Sequence, residues 1–129
     1  MEKTPLLEIH VQCMEPMTVR GQTRDIVMIP FTGEASGPLF YGTVTGPAVD
    51  TQKIPKGGEP FLSARYLIRG KDAEGNDCQV FIENQGNPSA GLVPVIVTDS
   101  PVLAAWETTP LKAELEGAPG GVLVRIFEA

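Results

Sequence analysis

The chain of 129 residues holds one histidine and two cysteines, so most of its capacity for chemistry lies in carboxylates, amides and aromatic hydroxyls. Asp50 follows the Gly46-Pro47 corner, where a carboxylate can act as a general base or bind a ligand hydroxyl, or can close an Asx-type turn. Arg65 and Tyr66 are adjacent and fall on opposite faces of an extended segment. The pattern sends Tyr66 inward with Leu62 and Ile68 and leaves Arg65 outside, within reach of Glu83 or Glu74. An inward Arg65 would need Asp50 or Glu34 as its partner, because an unpaired buried charge is costly. Such an Arg–Asp pair suits an anionic or enolic ligand. Asn84 shares a face with Val80 and Ile82, where its amide can hold a carbonyl or enolate oxygen, or can cap the turn at Gly86. Trp106, beside Ala104-Ala105, is expected to plug a barrel end or to stack on a ligand there. The candidate set is therefore Asp50 and Arg65 for catalysis, with Tyr66, Asn84, Trp106 and Glu34 for ligand contacts.

Other chemistries are excluded by spacing. Cys13 and Cys78 are far apart with no C-x-x-C, and a single His10 on a polar face cannot complete a zinc set; no metal is expected. No G-x-S-x-G or Ser-His-Asp pattern is present, and no G-x-G-x-x-G opens a helix, so neither a serine nucleophile nor a dinucleotide cofactor is expected.

The elements that must position these residues are strands. Leu7 to Cys13 alternates, with Leu7, Ile9, Val11 and Cys13 on one face, a half-buried strand. Further strands are expected over Asp25–Phe31, Leu39–Thr45, Phe61–Arg69, Cys78–Asn84, Leu92–Thr98, the alternating stretch from Leu111, and Val122–Glu128. Gly33 to Pro38 reads as a small-residue loop, Gly46-Pro47 as a break in pairing, and Ala73–Asp77 as a hairpin loop. Pro101–Thr108 is the one expected helical turn, with Ser100 as its N-cap. With 14 glycines and 12 prolines in no repeating period, seven to nine short strands imply one all-β domain, a single antiparallel barrel or sandwich spanning residues 1–129.

Lys plus Arg number 10 against 16 Asp plus Glu, a net charge of −6 that argues against nucleic acid. No apolar run reaches the roughly 18 residues of a membrane helix. Met1–Glu8 has no apolar signal-peptide core, so a cytoplasmic protein with reduced, buried thiols is expected.

The order of Arg20-Gly21, Ile26-Val27, Gly37-Pro38, Gly42-x-Val44, Asp50-x-Gln52, Ala64-Arg65-Tyr66, Asn84-x-Gly86 and Val124-Arg125-x-x-Glu128 resembles the bacterial and fungal family known as domain of unknown function 3237. Thr98-Asp99-Ser100-Pro101 is similar to that family's R-T-x-P element without its Arg, and Pro47–Gln52 keeps the Asp and Gln of its G-G-A-D-W-Q stretch without the Trp. The resemblance covers nearly the whole chain. It implies a closed antiparallel barrel of about eight strands, similar to allene oxide cyclase, dirigent and lipocalin-like barrels, and no established chemistry.

Three functions are open at this point. The first is a cofactor-free isomerase, cyclase or hydratase acting on an apolar or aromatic oxygenated small molecule. The second is a carrier or sensor using the same cavity. The third is a homo-oligomeric barrel with a filled core, associating through outer residues such as Phe61 and Leu67.

Overall fold

The computed structural model describes residues 4–129. Its strands are β1 (Leu7–Cys13), β2 (Met17–Arg20), β3 (Arg24–Ser36), β4 (Phe40–Pro55), β5 (Phe61–Asp72), β6 (Asp77–Asn87), β7 (Gly91–Thr98), β8 (Leu111–Ala118) and β9 (Gly121–Glu128). All pairings are antiparallel, from β3 round to β9 in chain order. β1 closes the ring by pairing with β9 on one side and with the C-terminal half of β3 on the other. Eight strands therefore form a closed barrel, and β2 extends the N-terminal half of β3 beyond it.

Alternation drives this closure. The inward side chains of β1, Leu7, Ile9 and Val11, are buried with Ile68, Val80, Ile82 and Ile126 from strands around the ring. Burying each such side chain stabilises the barrel by about 1.5–3 kcal/mol. The long strands bend at register shifts between Pro30 and Glu34 in β3 and between Thr45 and Val49 in β4. Gly46-Pro47 thus bulges one continuous strand and does not end it. Gly42 lies opposite Gly70, and a Cβ there would stand 2.6 Å from the Arg69 carbonyl oxygen and 2.9 Å from Phe40 Cζ. The missing side chains let β4 and β5 approach over the buried Phe40 ring. One further expectation is corrected: Gly33–Ser36 is strand, paired with β1. β2 is an additional strand that carries no alternation.

One barrel end is plugged. β7 meets β8 only at Leu92↔Ala113, and the chain between them folds inward as a 3-10 turn, Ala104–Glu107. Leu103 and Trp106 enter the core there, 0% and 5% exposed. The cap of this turn is Leu103, with no side-chain cap bond, so Ser100 is not its N-cap. Ser100 Oγ instead donates to Asp72 Oδ2 at 2.8 Å, while the backbone amides of Glu74 and Asn76 donate to Asp72 Oδ1 at 3.0 and 3.2 Å. One buried carboxylate thereby ties the plug to the β5–β6 hairpin.

The Ser100 hydroxyl foremost, and then the two amides, hold the Asp72 carboxyl below the usual carboxylate range against the opposing effect of burial. Its folded pKa lies under the unfolded one. The stability it contributes is therefore fully present above the unfolded value of about 3.9 and is lost as pH falls through the lower folded value. Ser100→Ala is expected to lower the melting temperature by several degrees at neutral pH and to flatten the acid limb. Melts from neutral pH downward check both; an unchanged acid limb contradicts this role.

Candidate ligand-binding cavity

The other end of the barrel is open to a cavity of about 80 Å³. Asp50 on β4, Ala64 on β5 and Asn84 on β6 are register partners across three strands, and all three line it. Two strand spacings separate the Asp50 and Asn84 backbones, about 9–10 Å. The methyl of Ala64 between them leaves the gap unfilled. Tyr66, two residues along β5 toward the plug, lines the same space with Phe31, Leu62, Leu92 and Leu115. A single water needs about 10–15 Å³, and a drug-sized ligand about 300 Å³ or more. The cavity holds a small organic group, or one ring of a molecule that projects through the mouth.

Its polar groups are few and incompletely satisfied. Asn84 is 6% exposed, and its Oδ1 is buried without a hydrogen-bond partner among the described residues. Leaving such an acceptor unpaired costs about 1–3 kcal/mol. Asp50 is half-buried, and Gln52 Nε2 donates to its Oδ2 at 3.0 Å. Tyr66 is 4% exposed, its ring edge-on to Phe31 with centroids 5.2 Å apart and planes at 74°. Burial pushes the Tyr66 phenol well above its ordinary pKa, so its hydroxyl stays protonated and can donate. Among the described residues no Lys, Arg or His lines the cavity.

Asp50, Tyr66 and Asn84 are thus brought together, and three other expected site residues are not. Arg65 points outward, its side chain 66% exposed and its Nε 2.7 Å from Glu83 Oε2; no Arg65–Asp50 pair exists. The strand pattern that sends Tyr66 inward forces this, and an exposed pair of this kind contributes about 0–1 kcal/mol. Glu34 lies on the outer wall, in one row with His10 and Thr43. That row borders an open outer saddle of about 870 Å³. There Arg69 Nε donates to Gln79 Oε1 at 3.0 Å and Lys71 Nζ pairs with Asp77 at 2.7 Å, so both long cations are already engaged. Trp106 fills the opposite end and does not touch the cavity, which removes it as a ligand contact.

Two contributors escaped the sequence reading of the site. Gln52 shares the inward face of β4 with Asp50, a relation the two-residue spacing contains. Cys13 stands at the cavity rim and is exposed, contrary to the expected buried thiol, because β1 ends there beyond the packed core. Cys78 is buried, and desolvation foremost raises its pKa, so it should resist alkylation while Cys13 reacts. Among the described residues no cluster of three or more His, Cys, Asp or Glu side chains is arranged to hold a metal ion, and no helix is long and apolar enough to cross a membrane.

No protein-family model matches the chain, and no curated protein does. Its fold is similar to several solved structures. A protein of unknown function from Clostridium acetobutylicum ATCC 824 superposes with a TM-score of 0.82 at 21% identity, over 99% of this chain and 98% of that one. A beta-barrel like protein from Acinetobacter baumannii AYE gives 0.77 at 14% identity, covering 97% and 93%. An enzyme from Penicillium herquei gives 0.73 at 13% identity, covering 98% of each chain. At these identities the likeness establishes the barrel and leaves the chemistry to the cavity.

Proposed function

We propose that the open end of the barrel binds a small, largely apolar, oxygen-bearing molecule, and that Asp50 moves a proton on it without a cofactor. The observation that carries this reading is the orphaned Asn84 oxygen, held beside a carboxylate in an otherwise apolar cavity. Native structures rarely leave a buried acceptor unpaired, and a bound molecule is one means of completing it. In the chemistry, the oxygen of Asp50 not held by Gln52 takes a proton from a carbon or hydroxyl of the ligand. The neutral Tyr66 hydroxyl donates to the oxygen on which charge develops, and Asn84 orients the molecule. Returning the proton to a different atom completes an isomerisation, leaving Asp50 ionised as before. The Penicillium herquei barrel is an enzyme, which makes catalysis on this architecture reasonable.

The hold of Gln52 on Asp50 favours a second reading, a carrier in which the carboxylate only anchors a ligand hydroxyl. Self-association is a separate proposal, supported by the exposed outer residues Met17, Val19, Met28 and Phe61. Leu67 is half-buried and contributes less. On motif order we also place the chain with the domain of unknown function 3237 proteins, and its two free thiols favour the cytoplasm.

Cys13 provides the test of the cavity. Phenol or cyclohexanone at saturating concentration is expected to slow its alkylation by a maleimide several-fold in the wild type. Ala64→Leu, which fills the gap between Asp50 and Asn84, should remove the protection. Equal rates with and without either compound contradict a binding cavity.

A further inference from the structure

We infer that the cavity takes its ligand as an uncharged hydroxyl compound, a phenol or enol, and rejects the corresponding oxyanion, the ligand O–H being donated to the free oxygen of Asp50. This rests on the cavity reading above and assigns the charge and hydrogen-bonding character of what enters. Among the described residues the titratable groups that line the space are Asp50, Tyr66 and Cys13, and none of them is a cation. The cations on the surrounding strands face away. Arg65 is paired with Glu83, and Arg125 with Glu8 and Glu116, all on the outer wall. At the far edge, Arg20 and Lys56 are both held by Asp25, at 3.3 and 2.9 Å.

An oxyanion entering this space would meet the Asp50 carboxylate with no countercharge, inside walls of Phe31, Leu62, Leu92 and Leu115. Low polarity strengthens that repulsion, and the net charge of −6 opposes the approach of an anion from outside. A neutral hydroxyl meets the opposite situation. Asp50 accepts its proton in a charge-assisted hydrogen bond, a second O–H or N–H on the ligand can donate to Asn84 Oδ1, and the Phe31 and Tyr66 rings present apolar surface to the ligand body. During turnover the oxyanion arises only after Asp50 has taken the proton, when that carboxyl is itself neutral. The site would therefore avoid two negative charges at every stage.

The probe is 4-nitrophenol, whose anion is yellow and whose neutral form is not. At a pH equal to its own pKa, adding excess protein is expected to bleach the yellow band, the bound anion-to-phenol ratio falling about tenfold, one unit of pKa. In Asp50→Asn the bleaching should largely disappear, whereas in a variant of the outer wall, Glu34→Gln, it should persist. A deepening of the yellow, or an unchanged spectrum while 4-nitrophenol protects Cys13 from alkylation, overturns this inference and leaves the cavity standing. An unchanged spectrum with no protection of Cys13 overturns both.

Discussion

Asp50→Asn is expected to lower turnover of the compound bound in the barrel by about 10²–10⁴-fold, the usual contribution of a positioned acid or base. Its binding should weaken less, by about ten- to a hundredfold, the loss of one hydrogen bond to a charged group. The substitution keeps the shape of the side chain and an oxygen for Gln52 to bond, so the local hydrogen bond at 3.0 Å need not be lost. What disappears is the group that accepts a proton. Single-turnover assays on the compound recovered from the native host, with binding followed separately, divide the two effects. Unchanged turnover removes Asp50 from the chemistry. A compound that binds the wild type and is never converted identifies a carrier.

Trp106→Ala should produce the largest loss of stability. The indole is 5% exposed and lies in the core beside Leu103, filling the end of the barrel opposite the cavity. Removing a buried Trp costs about 3–5 kcal/mol, a large part of the 5–15 kcal/mol that holds an ordinary domain together. The melting temperature should fall by more than about 10 °C. The cavity lies at the opposite end, so ligand protection of Cys13 should survive at temperatures where the variant is folded. Chemical denaturation and the alkylation assay measure the two consequences independently. A loss of protection without a loss of stability would instead place Trp106 at the ligand.

Much of this arrangement is written in local pattern. The seven alternating residues of β1 assign Leu7, Ile9 and Val11 to the interior, and the same rule separates Tyr66 from Arg65. It also places Asn84 in line with Val80 and Ile82, as the barrel has it. Long-range relations are less legible. Glu34 is drawn toward Arg65 by charge alone, and only the pairing of β1 with β3 shows that it shares the outer row of His10. Gly33–Ser36 has the composition of a loop because strands press together there. A Cβ on Gly33 would sit 2.6 Å from the His10 carbonyl oxygen, so smallness records close approach of backbones and not a turn. β2 is four residues long and exposed throughout, so it carries no inside–outside alternation to detect. Ser100 has the right type and position for a cap, but the buried Asp72 carboxylate, 28 residues away in sequence, recruits its hydroxyl instead.

Native mass spectrometry of the protein purified from its own host, wild type beside Ala64→Leu, tests ligand binding in the barrel most directly. The wild type should carry one small molecule under gentle conditions and lose it on denaturation, and the filled variant should carry none. A wild type with the same mass in both conditions, or an adduct that persists in Ala64→Leu, contradicts a ligand site between Asp50 and Asn84.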